Sequence, residues 1–273
     1  MQHATFGAIL LTILIIGPIV ANFFIKSTDF YIRKVKGIDA IFNVIGKSVE
    51  KGKTISFSTS MTSVGPLLYA CLGILSSIGK KVATYKAKII IPSRDPEVMA
   101  MTDATLQNAY LKEKKSSLYD PNSIRFLSSE QFAYASGYMG LMHRENVGAA
   151  FLFGSFAAES LILAEAGQQV GANQIAGSIS PEEVPFFITS CDYTLIGEEI
   201  YAAGAYLSDD PIQKRSLRGQ DFSKLTILLI ILVGIALNTT SSICKLSSKP
   251  SCSKLDAKQI FLKLQDLNMF KKI

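Results

Sequence analysis

The stretch AKIIIPSRDPEVMAMTDATLQNAYLK, residues 87–112, contains the pattern that decides the fold of this chain. Its opening residues, Ala87–Ile91, are rich in isoleucine, which is typical of a buried strand, and a short polar turn follows. Asp95 and Pro96 then open a helix that we expect to run to about Lys112, because aspartate is a preferred N-cap and proline is favoured in the first turn. The stretch is therefore predicted to form a strand–loop–helix unit.

The same unit recurs through the middle of the chain. Further strands are predicted over short apolar runs, and helices over the longer segments that separate them. The additional strands are Thr54–Phe57, Ile124–Leu127, Ala149–Phe153 and Asn173–Ala176, and the additional helices are Pro66–Tyr85, one that follows Ser128, Phe156–Gln168 and one from Pro181. Strands that alternate with helices form β-α-β units. The predicted fold class is therefore α/β, with a mostly parallel, Rossmann-like sheet flanked by helices.

Local signals predict how some of these helices begin. Ser128-x-x-Gln131 matches a capping box, which predicts Ser128 as the N-cap of the next helix. Asp192 is interpreted as the N-cap of a segment that runs from Tyr193 to Glu199. Cys71 and Cys191 are predicted to lie inside helices as buried free thiols.

Two apolar stretches without a charged side chain, Ala4–Ile25 and Leu225–Cys244, bracket the α/β region. A helix needs about 20 such residues to cross the hydrocarbon core of a bilayer, so both are predicted to be transmembrane helices. The chain is 48% hydrophobic with a mean hydropathy of +0.29, which is too apolar for an ordinary soluble enzyme. The N-terminal stretch lacks the basic start and the cleavage site of a signal peptide, which indicates an uncleaved anchor.

The predicted order of segments follows from these spans. We expect residues 1–25 to form the first span, 26–50 a juxtamembrane linker, 51–224 the central α/β domain, 225–244 the second span and 245–273 a basic tail whose apolar residues recur at helical spacing. Much of the net charge of +6 lies beside the spans and in the tail, which favours a membrane surface over nucleic acid. Basic residues flank both spans on the side of the central domain, which predicts a cytoplasmic domain. The lysine-rich tail argues the other way.

Small polar loops are predicted to follow the strands, and therefore to lie at one edge of the sheet. Ligands of parallel sheets bind at this edge, where helix N-termini present free N–H groups. The candidate ligand-binding residues in these loops are Ser58, Ser60, Arg94, Asp95, Ser128, Glu130, Gly154, Ser155 and Glu159. Helix capping also explains each loop taken alone, and the helix dipole explains an acid in the position of Glu159. Structural caps and a pocket for a nucleotide or other small anion both stay open.

No motif in the sequence names a reaction. It contains neither G-x-G-x-x-G nor G-x-x-x-x-G-K, so dinucleotide and P-loop functions lose their best support. We find no metal-ligand spacing and no nucleophile–histidine constellation, and we predict no catalytic residue, metal or cofactor. Whether the chain is an enzyme stays open, with a non-enzymatic role favoured. A disulfide between Cys244 and Cys252 would require the oxidising side of the membrane.

Four segments together carry a resemblance to a known family. They are SRDPEV (93–98), FLSSEQFAYA (126–135), GSFAAESLILAEAG (154–167) and LIGEEIYAAGAYL (195–207), and the last two are crowded with alanine and glycine. Over residues 51–224 the chain resembles an uncharacterised family of bacterial two-span membrane proteins, a domain of unknown function. The resemblance implies a bacterial inner-membrane protein but supplies no activity, cofactor or catalytic residue.

Three function classes follow from these observations. The first is a non-enzymatic, membrane-anchored scaffold that forms homo-oligomers through small-residue helix faces. The second is an enzyme or sensor that binds a small anionic ligand or nucleotide at the strand ends. The third is an accessory subunit of a larger membrane complex. The lipid bilayer is a partner in all three, and nucleic acid in none.

Overall fold

The computed structural model describes residues 36–207 together with Gly17, Gly219, residues 221–232 and 234–236, and Thr239. The chain divides into two compact units, residues 28–217 and the combination of residues 1–27 with 218–273. Apart from Gly17, the predicted first span lies outside the described residues, as does the tail 245–273.

The larger unit alternates strands and helices along the chain. The strands are β1 Thr54–Ser60, β2 Ile89–Ser93, β3 Ile124–Phe126, β4 Val147–Ser155, β5 Asn173–Ser178 and β6 Tyr193–Ile196. The helices are α1 Lys36–Glu50, α2 Pro66–Tyr85, α3 Pro96–Lys112, α4 Gln131–Arg144, α5 Glu159–Gln169, α6 Val184–Ser190 and α7 Glu199–Leu207, and two 3₁₀ turns, Ser116–Leu118 and Pro121–Ser123, precede β3.

The strands form one parallel sheet in the order β3-β2-β1-β4-β5-β6. The predicted α/β fold class with a parallel sheet flanked by helices is therefore confirmed. The chain builds outward from β1 to β3 and then returns to the other side of β1 for β4. The two halves meet between β1 and β4, where Phe57 is in register with Phe151. This order is that of the doubly wound Rossmann arrangement, whose crevice lies where the order reverses.

Helices cover both faces of the sheet and create two hydrophobic cores. One face packs against α1, α2, α3 and α7 and buries Ile41, Phe57, Leu75 and Phe153. The other packs against α4, α5 and α6, with Tyr134 and Phe187 fully buried. Because both faces are covered, β1 and β2 are buried along their whole length, which explains their continuous apolar or small-residue character.

The linker predicted before Lys51 contains a helix of the domain. Residues 36–50 form α1, in which Ile38, Ile41 and Ile45 are spaced three and four residues apart and are almost completely buried. The described fold therefore begins well before Lys51. Its last helix ends at Leu207, and residues 208–218, near the predicted boundary at 224, lie outside the described part of the chain.

Two N-cap predictions are wrong. The N-cap of α4 is Glu130, which makes no side-chain capping bond, and the Ser128 hydroxyl accepts the N–H of Glu130 at 3.1 Å instead. The segment after Asp192 is strand β6 and not a helix, and Asp192 Oδ2 accepts the N–H of Gln174 at 2.7 Å. A strand of four residues at the sheet edge offers too short a pattern to recognise. Cys191 follows α6 and does not lie inside a helix.

The smaller unit contains part of the predicted second span. Residues 221–232 and 234–236 are helical, and their large apolar side chains are exposed: Phe222, Leu225, Ile227, Leu228, Leu229, Ile230, Ile231, Leu232 and Ile235. In the described part of the chain, one helix, α2, is long and apolar enough to cross a membrane, but 56% of its apolar window is buried. The packing of α2 on the sheet is that of a core helix.

Candidate functional site

The carboxyl ends of β1 and β4 lie side by side at the point where the strand order reverses. Five of the predicted site residues converge there, because four end these two strands and the fifth begins the helix after β4: Ser58, Ser60, Gly154, Ser155 and Glu159. The remaining four, Arg94, Asp95, Ser128 and Glu130, lie further along the same edge, after β2 and β3. We call this side of the sheet the carboxyl edge and the opposite side the amino edge.

Glu159 is the centre of the hydrogen bonds between β1 and β4. It is the first residue of α5, and its side chain is completely buried. Its Oε1 accepts from the Ser60 hydroxyl at 2.9 Å. Its Oε2 accepts from Gln131 Nε2 at 2.5 Å and from the N–H of Ala157 at 3.1 Å. The carboxylate therefore connects the end of β1, the start of α4 and the turn before α5.

Ser58 belongs to a second buried contact of the same region. Its Oγ lies 2.7 Å from the hydroxyl of Tyr134, which donates to the carbonyl of Pro92 at 3.3 Å. Burial raises the pKa of Tyr134 far above its usual range, and the hydrogen bond with Ser58 opposes that shift only in part. Tyr134 is consequently a neutral donor that connects β1 to the end of β2.

The loop after β1 folds back over the end of β4. The Thr62 hydroxyl donates to the carbonyl of Thr59 at 2.6 Å and accepts the N–H of Ser155 at 2.8 Å. Gly154 has a φ of +149°, and a Cβ at that position would lie 2.1 Å from Thr62 Oγ1. Ser60 adopts a φ of 41°, which is uncommon for a residue other than glycine. These contacts close the space between the two strand ends.

A second buried carboxylate, Glu183, escaped the sequence analysis. Its Oε2 accepts from the Ser178 hydroxyl and, at 3.1 Å, from the N–H of Phe156. Burial raises its pKa, the hydrogen bond with Ser178 opposes the rise, and the charge of Glu159 adds to it. The signal in the sequence was the run Ser178-x-Ser-Pro-Glu-Glu directly after a strand.

Three of the four outlying site residues stabilise the loops that follow β2 and β3. Asp95 accepts the N–H of Glu97 at 2.8 Å and is the N-cap of α3. Arg94 Nε donates to the carbonyl of Ser129 at 2.6 Å, which ties the loop after β2 to the loop after β3. Helix capping and loop closure therefore account for the contacts of Arg94, Asp95 and Ser128.

Exposed apolar side chains surround these buried polar groups on the carboxyl edge. They end or follow β1, β3, β5 and β6 or lie at the start of α4, and their exposed fractions run from 37% to 60%: Met61, Val64, Phe126, Phe132, Ile179 and Ile196. Exposed apolar patches mark sites of protein or membrane contact. This edge therefore presents large apolar side chains to its surroundings, among exposed carboxylates such as that of Glu130.

An open groove lies at the amino edge of the sheet, between α1 and the amino ends of β5 and β6. Its volume is about 730 Å³, and its lining includes Phe42, Lys47, Asn173, Asp192 and Tyr193. None of the predicted site residues lines it. The candidate residues and the groove are therefore separate features of the domain.

The described part of the chain has no cluster of metal ligands and no cysteine with a lowered thiol pKa. It contains no group of three or more His, Cys, Asp or Glu side chains arranged to hold a metal ion. Cys71 is buried in α2, and burial raises the pKa of its thiol to about 12. Burial likewise raises the pKa of Cys191 to about 12, so both thiols are protonated near neutral pH.

Comparison with known proteins identifies one family. A family model described as "Domain of unknown function (DUF6754)" matches residues 2–248, a range that includes both apolar stretches as well as the α/β domain. The comparison with curated proteins gives no match. The comparison with solved structures gives none either.

Proposed function

We propose that this chain, which belongs to the DUF6754 family, is a membrane-anchored scaffold whose α/β domain associates with other copies of itself through the carboxyl edge of the sheet. The observation that carries the proposal is the composition of that edge. Its central polar side chains hydrogen-bond to one another, and large apolar side chains such as Phe132 and Ile179 are exposed around them. Such a surface suits a protein contact.

The described part of the second apolar stretch supports the membrane anchor. Over residues 221–232 and 234–236 the large apolar side chains are exposed on all sides of a helix. A helix that is hydrophobic all round needs an apolar environment, and a bilayer provides it. The basic residues on the domain side of both apolar stretches support a cytoplasmic location for the domain, which in a bacterial cell means the inner membrane.

The hydrogen bonds of Glu159 favour a scaffold over a site for an anion. An anion bound at the N-terminus of α5 would compete with the buried carboxylate for the N–H of Ala157. It would also approach two buried carboxylates, Glu159 and Glu183, whose charges repel it. Binding there would require the bonds from Ser60 and Gln131 to break.

A small ligand at the same edge remains the second candidate function. The strand order favours it, because doubly wound sheets bind their ligands at the reversal between β1 and β4. Ser58, Ser60, Ser155 and Glu159 would then be the binding residues. This candidate predicts a monomer that gains thermal stability when a nucleotide or phosphate is added.

The mass of the full chain in mild detergent, measured by light scattering after size exclusion, tests the proposal. We expect a discrete homo-oligomer that Phe132→Ser reduces to smaller species, because Phe132 is 60% exposed on the carboxyl edge. Ile188→Ser is the matched control, since Ile188 is 55% exposed on α6, away from that edge. A monomeric wild-type chain would refute the scaffold, and a stoichiometric foreign subunit in the purified particle would identify an accessory subunit instead.

A further inference from the structure

The exposed carboxylates at the carboxyl edge of the sheet are opposite in charge to the lysines at the part of the amino edge where α2 and α3 end. On the carboxyl edge, the exposed charged side chains in the described strand-end loops and first helical turns are all carboxylates: Asp95, Glu97, Glu130, Glu182 and Glu198. Arg94 is half-buried and donates to a backbone carbonyl. Helix dipoles favour acids in these turns, but they do not account for the exposed Phe132 and Ile179 beside them. We call Glu97, Glu130, Phe132, Ile179 and Glu182 the acidic edge.

The amino edge carries the complementary chemistry where α2 and α3 end. Lys86, Lys112 and Lys114 are exposed there and make no ion pair with the described residues. Tyr85 is 47% exposed and Leu111 is 62% exposed among them. We call these five residues the basic patch.

The basic patch is one continuous surface because α2 and α3 pack side by side. A Cβ at Gly79 of α2 would lie 3.0 Å from Ala109 and Leu106 of α3. Nearer the edge, Lys115 Nζ donates to the carbonyl of Thr84 at 2.9 Å. The ends of the two helices are therefore held together, and their lysines lie side by side at the amino edge.

We infer that the acidic edge of one copy contacts the basic patch of the next, so that the domains associate head to tail. The inference rests on the proposed scaffold function and names the second surface of its interface. Opposite charges on the two surfaces give electrostatic complementarity, and the apolar side chains on each supply the area to bury. Because the surfaces lie at opposite ends of one sheet, each copy binds two neighbours. Such an interface generates rings or open filaments and not a two-fold dimer.

A charge exchange between two variants of the full chain tests this inference. The first variant is Lys86→Glu with Lys112→Glu and Lys114→Glu, and the second is Glu97→Lys with Glu130→Lys and Glu182→Lys. Each variant alone presents like charges across the interface, so we expect the oligomer seen in detergent to fall to the monomer. In a mixture the two variants can alternate, which restores opposite charges at every contact, and we expect a discrete oligomer to form again. Glu165→Lys, on the exposed side of α5, is the control that leaves the oligomer unchanged.

The outcomes separate the inference from the proposed function. Far-ultraviolet circular dichroism confirms that each variant is folded before its mass is interpreted. An oligomer that persists in both variants overturns the head-to-tail contact but leaves the scaffold in place. Folded monomeric variants that fail to form an oligomer when mixed also overturn the head-to-tail contact and leave the scaffold in place. A lysine variant that keeps the oligomer but loses affinity for nanodiscs containing anionic lipid would assign the basic patch to the bilayer, which also overturns the inference. A monomeric wild-type chain overturns the proposed function itself.

Discussion

Replacement of Gly154 by alanine should destabilise the domain more than the same replacement at glycines where the new Cβ would have no neighbour within 4 Å. The new Cβ would lie 2.1 Å from Thr62 Oγ1 and 2.8 Å from the carbonyl oxygen of Thr59. Its backbone would also be held at a φ of +149°, which a residue with a side chain rarely adopts. Thr62 must move, and its hydrogen bond to the N–H of Ser155 is lost.

The expected cost follows from these three effects. Overpacking costs about 1–3 kcal/mol, a lost neutral hydrogen bond about 1 kcal/mol and the unfavourable φ about 1 kcal/mol or more. Because one movement of the loop relieves part of each, we expect about 3 kcal/mol in total. For a domain of this size each kcal/mol lowers the melting temperature by roughly 2–4 °C, so Gly154→Ala should lower it by roughly 6–12 °C.

The assay is thermal unfolding of the full chain in detergent, followed by far-ultraviolet circular dichroism. Gly171→Ala is the matched control, because Gly171 has a φ of +65° but nothing within 4 Å of its Cβ position. It reports the backbone cost without the steric one. Thr62→Ala in the Gly154→Ala background should recover part of the loss. Equal melting temperatures for Gly154→Ala and Gly171→Ala would refute the closed packing of the β1 loop on β4.

The two buried carboxylates give the remaining predictions. Glu159→Ala should lower the free energy of unfolding in urea by about 3 kcal/mol, since Ser60, Gln131 and the N–H of Ala157 lose a charged acceptor; an unchanged urea midpoint would contradict this role. For Glu183, burial raises the folded-state pKa above its ordinary value of 4.5. The folded state then binds the extra proton, so Glu183 contributes stability at low pH that is lost as the pH rises through 4.5 towards the raised folded pKa. Urea midpoints between pH 4 and 7 should therefore fall more steeply for the wild type than for Glu183→Gln, and parallel curves would contradict the shift.

The sequence alone determined the alternation of strands and helices. The bounds predicted for α2 match the structure, and β1, β4 and β5 begin within two residues of their predicted starts. Runs of this kind are recognisable because burial on both faces of a parallel sheet demands continuous apolar strands, whatever the neighbours are. Helix α1 was not predicted, although Ile38, Ile41 and Ile45 have helical spacing, because its residues were assigned to the linker beside the first apolar stretch.

Only the tertiary structure decided which loops meet. The sequence places Ser60 and Glu159 at one edge of a sheet, but their hydrogen bond depends on β4 pairing with β1, two strands that are separated by more than 80 residues. Glu183 binds the N–H of Phe156 for the same reason, through the pairing of β4 with β5. Strand order results from how the helices pack on both faces and not from local preference. The sequence therefore identified the polar residues that lie at the ends of the strands. The tertiary structure decided that these residues hydrogen-bond to one another, and that apolar side chains are exposed around them.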